Sequence, residues 1–119
     1  MTVSKYFEVR QGDITTIRFV EPELFDTILV AELKDQLINF TERETPKKLL
    51  LDFSEVEFCS TAVINTLLRI KKTVVRDRAG QLKLCGMKPN VRSAFGMLNL
   101  DGTVFDIYET AADAAAKFE

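Results

Sequence analysis

The chain contains no histidine, so a Ser-His-Asp or Cys-His arrangement cannot be assembled and the commonest proton shuttle is missing. Its two cysteines, Cys59 and Cys85, do not make the dense pattern of a disulfide framework. Without histidine they cannot build the usual structural zinc site either. The five glycines form neither Gly-x-Gly-x-x-Gly nor Gly-x-x-x-x-Gly-Lys, which excludes nucleotide binding by a familiar phosphate loop. No cofactor and no metal are therefore expected. No apolar run approaches the ~20 residues needed to cross a bilayer, and Met1-Thr2-Val3-Ser4-Lys5 does not open a signal peptide. The expectation is a reduced, cytoplasmic setting without a membrane span. A net charge of −2 and few aromatics among basic residues argue against nucleic acid as a partner.

What is present fits one compact domain spanning 1–119, with 46% hydrophobic and 29% charged residues and no low-complexity segment. Charge is uneven along it. Residues 1–60 carry 7 Lys and Arg against 12 Asp and Glu, whereas residues 61–119 carry 9 against 6. Much of the positive excess is Arg69, Lys71, Lys72, Arg76 and Arg78 on one expected helix, where a solvated outer face is the ordinary explanation.

Phe7-Glu8-Val9-Arg10 and Ile14 to Phe19 are short β-branched or aromatic stretches separated by Gln11-Gly12-Asp13, the pattern of a hairpin. Asp26-Thr27 can cap a helix from Ile28 to about Phe40, with Leu29, Leu33, Leu37 and Phe40 as its apolar stripe and Thr45-Pro46 as its stop. Leu49-Leu50-Leu51 has the continuous apolar character of a strand covered on both faces, and Gln81 to Cys85 alternates like a more exposed one. Between them a second helix is expected from Thr61 to Arg78, stopped by Ala79-Gly80. Pro89 opens a third helix ending at Met97 or Leu98, Val104 to Tyr108 forms a last strand, and Thr110-Ala111-Ala112-Asp113 caps a final helix ending near Phe118. The order β-β-α-β-α-β-α-β-α predicts an α/β fold: a mixed sheet that opens with an antiparallel hairpin, with about four helices packed against it. Loops 21–27, 54–60 and 86–90 should gather at the edge where open α/β sheets usually carry their site.

At that edge the informative residues are Ser60 and Thr61, two hydroxyls where an apolar, acidic strand pattern gives way to a long helix. Such a hydroxyl can cap the helix or carry a phosphate on its positive end. Cys59 beside them would be activated in a phosphatase-like nucleophile, but the required Arg six residues on is Asn65, so Cys59 is read as a packed apolar residue. Asp52 with Lys88-Pro89 superficially resembles the acceptor of a response-regulator receiver. The adjacent carboxylates that would hold a receiver's metal are missing, since only Asp13 is in the vicinity, and Asp52 reads as a sheet-end carboxylate.

Taken with the element order, Leu51-Asp52-Phe53-Ser54-Glu55-Val56-Glu57-Phe58-Cys59-Ser60-Thr61-Ala62-Val63-Ile64 resembles the signature of STAS domains, the bacterial anti-sigma factor antagonists. Gly86 to Val91 and Phe105 to Tyr108 resemble the family's later loop and last strand. By this resemblance Phe58 matches the motif's Phe, Thr61 its phosphoacceptor, Ser60 its usual Asp and Val63 its usual Gly. The resemblance implies a substrate and switch and not an enzyme. The unphosphorylated form binds an anti-sigma factor that is also a serine/threonine protein kinase and so releases sigma factor; phosphorylation at Thr61, or alternatively Ser60, ends that binding, and a phosphatase can restore it. Partner contacts are expected from Glu23, Phe25, Asp26, Ser60, Thr61, Ala62, Met87 and Lys88. Against this, Phe25 can simply staple the helix start, Met87 can fill the core edge, and the acidic residues can be merely solvated. The alternative reading is a non-switching STAS scaffold within a larger signalling assembly, with Ser60-Thr61 only capping a helix.

Overall fold

A computed structural model describes residues 4–119. Strands β1 (Phe7–Arg10) and β2 (Thr15–Phe19) pair antiparallel as the expected hairpin. Strands β4 (Lys48–Asp52), β6 (Gln81–Cys85) and β7 (Asp106–Tyr108) then add in parallel, giving the order β1-β2-β4-β6-β7. A separate parallel pair, β3 (Glu23–Leu24) with β5 (Phe58–Cys59), lies outside this sheet and was not expected; two-residue strands leave no periodicity to read.

Register explains the layering. Ile17, Leu51, Leu84 and Ile107 stand side by side across four strands on one face. Over that face lie α1 (Thr27–Glu44), α2 (Thr61–Lys71) and α3 (Pro89–Met97), whose buried Leu33, Leu37, Ile64, Leu67, Val91 and Phe95 share one core with the sheet. Leu50 and Cys85 point to the opposite face, where they meet Ala114 of α4 (Ala111–Ala115). Leu49-Leu50-Leu51 is thus covered on both faces, as its composition implies.

Strand β6 departs from expectation. It is an interior strand, paired with both β4 and β7, and even Lys83 is only 8% exposed. Its amine lies 3.2 Å from an Asp106 carboxylate oxygen and over the rings of Tyr108 and Phe118. A long stem with a paired head reads as exposed in sequence although its methylenes are buried.

Element ends follow local chemistry. The Asp26 carboxylate accepts from the Ile28 and Leu29 N–H groups at 3.0 and 3.1 Å and starts α1. The helix runs on past Phe40 and ends at Thr45, whose left-handed φ of 44° precedes Pro46. The second helix is not one uniform α-helix to Arg78: after Lys71 it widens into a π-helical stretch, Lys72–Asp77. There the Arg78 guanidinium donates to the Thr41 carbonyl at 2.7 Å and the Lys71 amine to that of Val104, so two of the five expected surface cations serve packing. The last strand begins at Asp106, not Val104, because the Phe105 N–H turns back to the Leu100 carbonyl at 2.9 Å. Thr110 Oγ1 accepts from the Asp113 N–H at 3.0 Å and caps α4, which stops at Ala115, short of Phe118.

Candidate functional site

The three loops expected at one edge do meet there, tied by specific bonds. The β3–β5 pairing joins loop 21–27 to loop 54–60, with the Glu57 and Ser60 N–H groups donating to the Pro22 and Leu24 carbonyls at 2.7 and 2.9 Å. Lys88 Nζ donates to the Ser54 carbonyl at 2.7 Å and the Asn90 side chain to that of Glu57, which brings in loop 86–90. Gly86 makes this closure possible. Its φ of 74° is left-handed, and a Cβ there would lie 2.8 Å from Asp52 Oδ1 and 3.1 Å from the Ser54 nitrogen. Asp52 Oδ1 itself accepts from the Ser54 N–H at 2.9 Å. Its carboxylate shapes the turn.

The two hydroxyls have separate roles. Ser60 is the N-cap of α2: its backbone is extended (φ −79°, ψ 161°) and its Oγ accepts from the Val63 N–H at 3.4 Å. Thr61 is the first helical residue, exposed, and caps nothing. Ser60→Ala should therefore lower stability by about 1 kcal/mol, and Thr61→Ala by less than about 0.5 kcal/mol. Urea unfolding of both variants checks this; a larger loss at Thr61 than at Ser60 would reverse the assignment. Val63, which the family motif would fill with Gly, is 1% exposed, so its bulk goes into the core and not toward solvent.

Around Thr61 the surface is apolar with an acidic margin. Phe25 and Phe58 are 55% and 51% exposed and stand edge to face with centroids 6.4 Å apart; Ile28 is 72% exposed. Glu23, Asp26, Glu57 and Ala62 are exposed on the same loops and first turn. Met87 is half-buried against the core and Lys88 half-buried on the Ser54 carbonyl, so both hold the third loop in place. The exposure of Ile28 was not anticipated. The signal existed, because the residue falls off the Leu29-Leu33-Leu37 stripe and has no core to enter.

Cys59 is half-buried and Cys85 wholly buried, and burial pushes each thiol up to about 12, with the Asp52 charge adding to the effect at Cys85. This is the reverse of an activated nucleophile, and agrees with Cys59 as packing. The folded chain keeps both protons where an unfolded thiol, with its ordinary value of about 8.5, loses them. Their contribution to stability is therefore complete below about pH 8.5 and declines as pH rises toward 12. Iodoacetamide at pH 8 should label neither cysteine in the native chain and both in urea. Fast native labelling of Cys59 would contradict this.

Comparison with solved structures supports the same architecture. The anti-sigma factor antagonist of Mycobacterium paratuberculosis is similar with a TM-score of 0.80 at 22% identity, over 94% of this chain and 92% of that one. An anti-sigma-factor antagonist domain protein of Planctomyces limnophilus gives 0.78 at 23%, over 92% and 95%. The Bacillus cell fate determinant SpoIIAA in its phosphorylated form gives 0.68 at 18%, over 93% and 97%. At these identities the likeness is one of fold. Among the described residues no helix is long and apolar enough to cross a membrane. A family model of the STAS domain matches residues 8–114, and the chain therefore belongs to the STAS domain family.

Proposed function

We propose that this chain is an anti-sigma factor antagonist. Its unphosphorylated form binds an anti-sigma factor that is also a serine/threonine kinase, which frees sigma factor, and phosphorylation at Thr61 switches that binding off. The observation that carries the reading is the exposed Thr61 hydroxyl, not engaged in capping, on the positive end of α2 and near the exposed apolar Phe25 and Phe58. That such a fold exists in a phosphorylated form is supported by SpoIIAA. Ser60 is the weaker acceptor because its oxygen already caps the helix. Partner contact comes from Glu23, Phe25, Asp26, Ser60, Thr61 and Ala62, while Met87 and Lys88 act through the loop they hold. The chain works in the cytoplasm as substrate and switch, catalyses nothing itself, and a phosphatase returns it to the binding form.

The physical logic is local. Phosphate adds about −1.5 to −2 charge next to a helix N-terminus that favours anions, so the fold itself tolerates it. The penalty falls on the complex, where a dianion would be enclosed among apolar side chains without a partner. Incubating the chain with ATP and each serine/threonine kinase of its organism, then mapping phosphate by mass spectrometry, tests the assignment. Phosphate on Thr61 is expected. Modification elsewhere, or none by any of these kinases, would favour the non-switching scaffold, a reading that the neutral Ser60 and bulky Val63 in place of Asp and Gly would suit.

A further inference from the structure

Next to the Thr61 surface, α1 and α2 leave a groove of about 520 Å³ between them. Its walls follow from helical spacing. Thr27, Val30, Ala31 and Lys34 recur at three, four and seven residues along α1, and Ala62, Thr66 and Arg69 at four and seven along α2. Each set covers about two turns, so the groove is ~10 Å long, room for three or four residues of extended chain at ~3.3 Å each. The two alanines hollow it, Phe25 stands at its mouth, and Ser60 connects it to the switch surface.

Its charge is one-sided. Lys34 and Arg69 line it, no lining residue is acidic, and neither cation has an ion-pair partner among the described residues. With two cations and no carboxylate in its lining, beside the apolar Val30, Ala31 and Ala62, the groove is complementary in charge to an acidic occupant. We infer that the α1–α2 groove receives a short extended segment of the protein partner carrying acidic residues beside apolar ones, its carboxylates on Lys34 and Arg69 and its apolar side chains against Val30, Ala31 and Ala62. This extends the functional reading above, because it states what the partner must present beyond the surface that faces Thr61. It also gives the phosphate a second effect. A dianion on the first turn of α2 lies at the entrance of the groove and repels an acidic occupant at short range, where salt does not fully screen it.

Panning a phage-displayed library of random 12-residue peptides on the immobilised chain tests this without knowledge of the partner or of phosphorylation. Enrichment of sequences that combine Asp or Glu with Leu, Ile or Phe is expected, with NMR shift changes on α1 and α2 and affinity that falls as salt rises. The variant K34E/R69E should weaken the enriched peptides about thirtyfold, Lys117→Glu on the far side should leave them unchanged, and Thr61→Glu should weaken them severalfold. Both charged positions are solvent-facing, and K34Q/R69Q, losing attraction without adding repulsion, should fall between. No enrichment, basic consensus sequences, or equal affinity for K34E/R69E would overturn the proposal. So would binding of sodium decanoate at the same residues with no peptide enriched, since the groove would then serve a small amphiphile. Thr61 modification is read by mass spectrometry in a separate assay, so failure of the groove and failure of the switch are distinguishable.

Discussion

Thr61→Glu should abolish measurable binding to the anti-sigma kinase, while Thr61→Ala binds within about threefold of the unsubstituted chain. A carboxylate or phosphate at this position is well placed in the free molecule, on an exposed first helical turn. In the proposed complex it would sit near Phe25 and Phe58, which are half or more exposed in the free chain and available for burial. An uncompensated charge in such a contact costs about 4 kcal/mol, roughly a thousandfold in affinity. The alanine variant removes only a hydroxyl that caps nothing, so complex and free chain lose little. Isothermal titration or surface plasmon resonance with the kinase identified by phosphorylation reads both variants. Equal affinities for Glu and Ala would sink the switch, and a collapse with Ala would mean that the hydroxyl itself is a required contact.

Phe53→Ala should be the most damaging single change to the fold. Phe53 leaves β4 at the start of the loop that leads to Ser60 and is wholly buried. It stands in a row of aromatic rings that crosses the core: 4.9 Å from Phe19 and 6.2 Å from Phe95, which continue to Phe7 at 6.5 Å and Phe105 at 5.7 Å. Its N–H also donates to the Cys85 carbonyl at 2.9 Å. Truncation leaves a cavity between rigid rings that cannot collapse far, which costs about 3–5 kcal/mol, a large share of the ~5–15 kcal/mol that a folded protein has. The midpoint of thermal unfolding should fall by about 15–20 °C, whereas Phe53→Leu should lose less than half as much. A drop below about 5 °C for the alanine variant would show that the ring is not central. Because the loop 54–60 begins here, the alanine variant should also be a poorer kinase substrate at temperatures where it remains folded.

Much of this was legible in the sequence, for reasons that particular residues make plain. Three adjacent leucines could be read as a strand buried on two faces because the run is short and lacks the three- and four-residue spacing of a helical stripe. Leu29, Leu33 and Leu37 announced α1, and Gly80, Pro46 and Pro89 marked ends. Lys83 misled because a charged head says nothing of where its stem lies, and the π-helical turn at Lys72–Asp77 was invisible because one residue more per turn hardly disturbs an apolar period. The division of labour between Ser60 and Thr61 also needed coordinates: adjacent hydroxyls at a helix start look alike until the backbone shows which one is extended and which is helical.

The sequence by itself determined the alternation of strands and helices, the absence of histidine chemistry and the presence of two hydroxyls at a helix start, since these depend on residue type and on spacing within a few turns. Only the tertiary structure decided that β6 is an interior strand, that Phe25 and Phe58 are left exposed near Thr61, and that Lys34 and Arg69 line one groove without ion-pair partners among the described residues. Those facts depend on which elements cover which, and burial and charge pairing are properties of neighbours distant in the chain, set by packing rather than by local pattern.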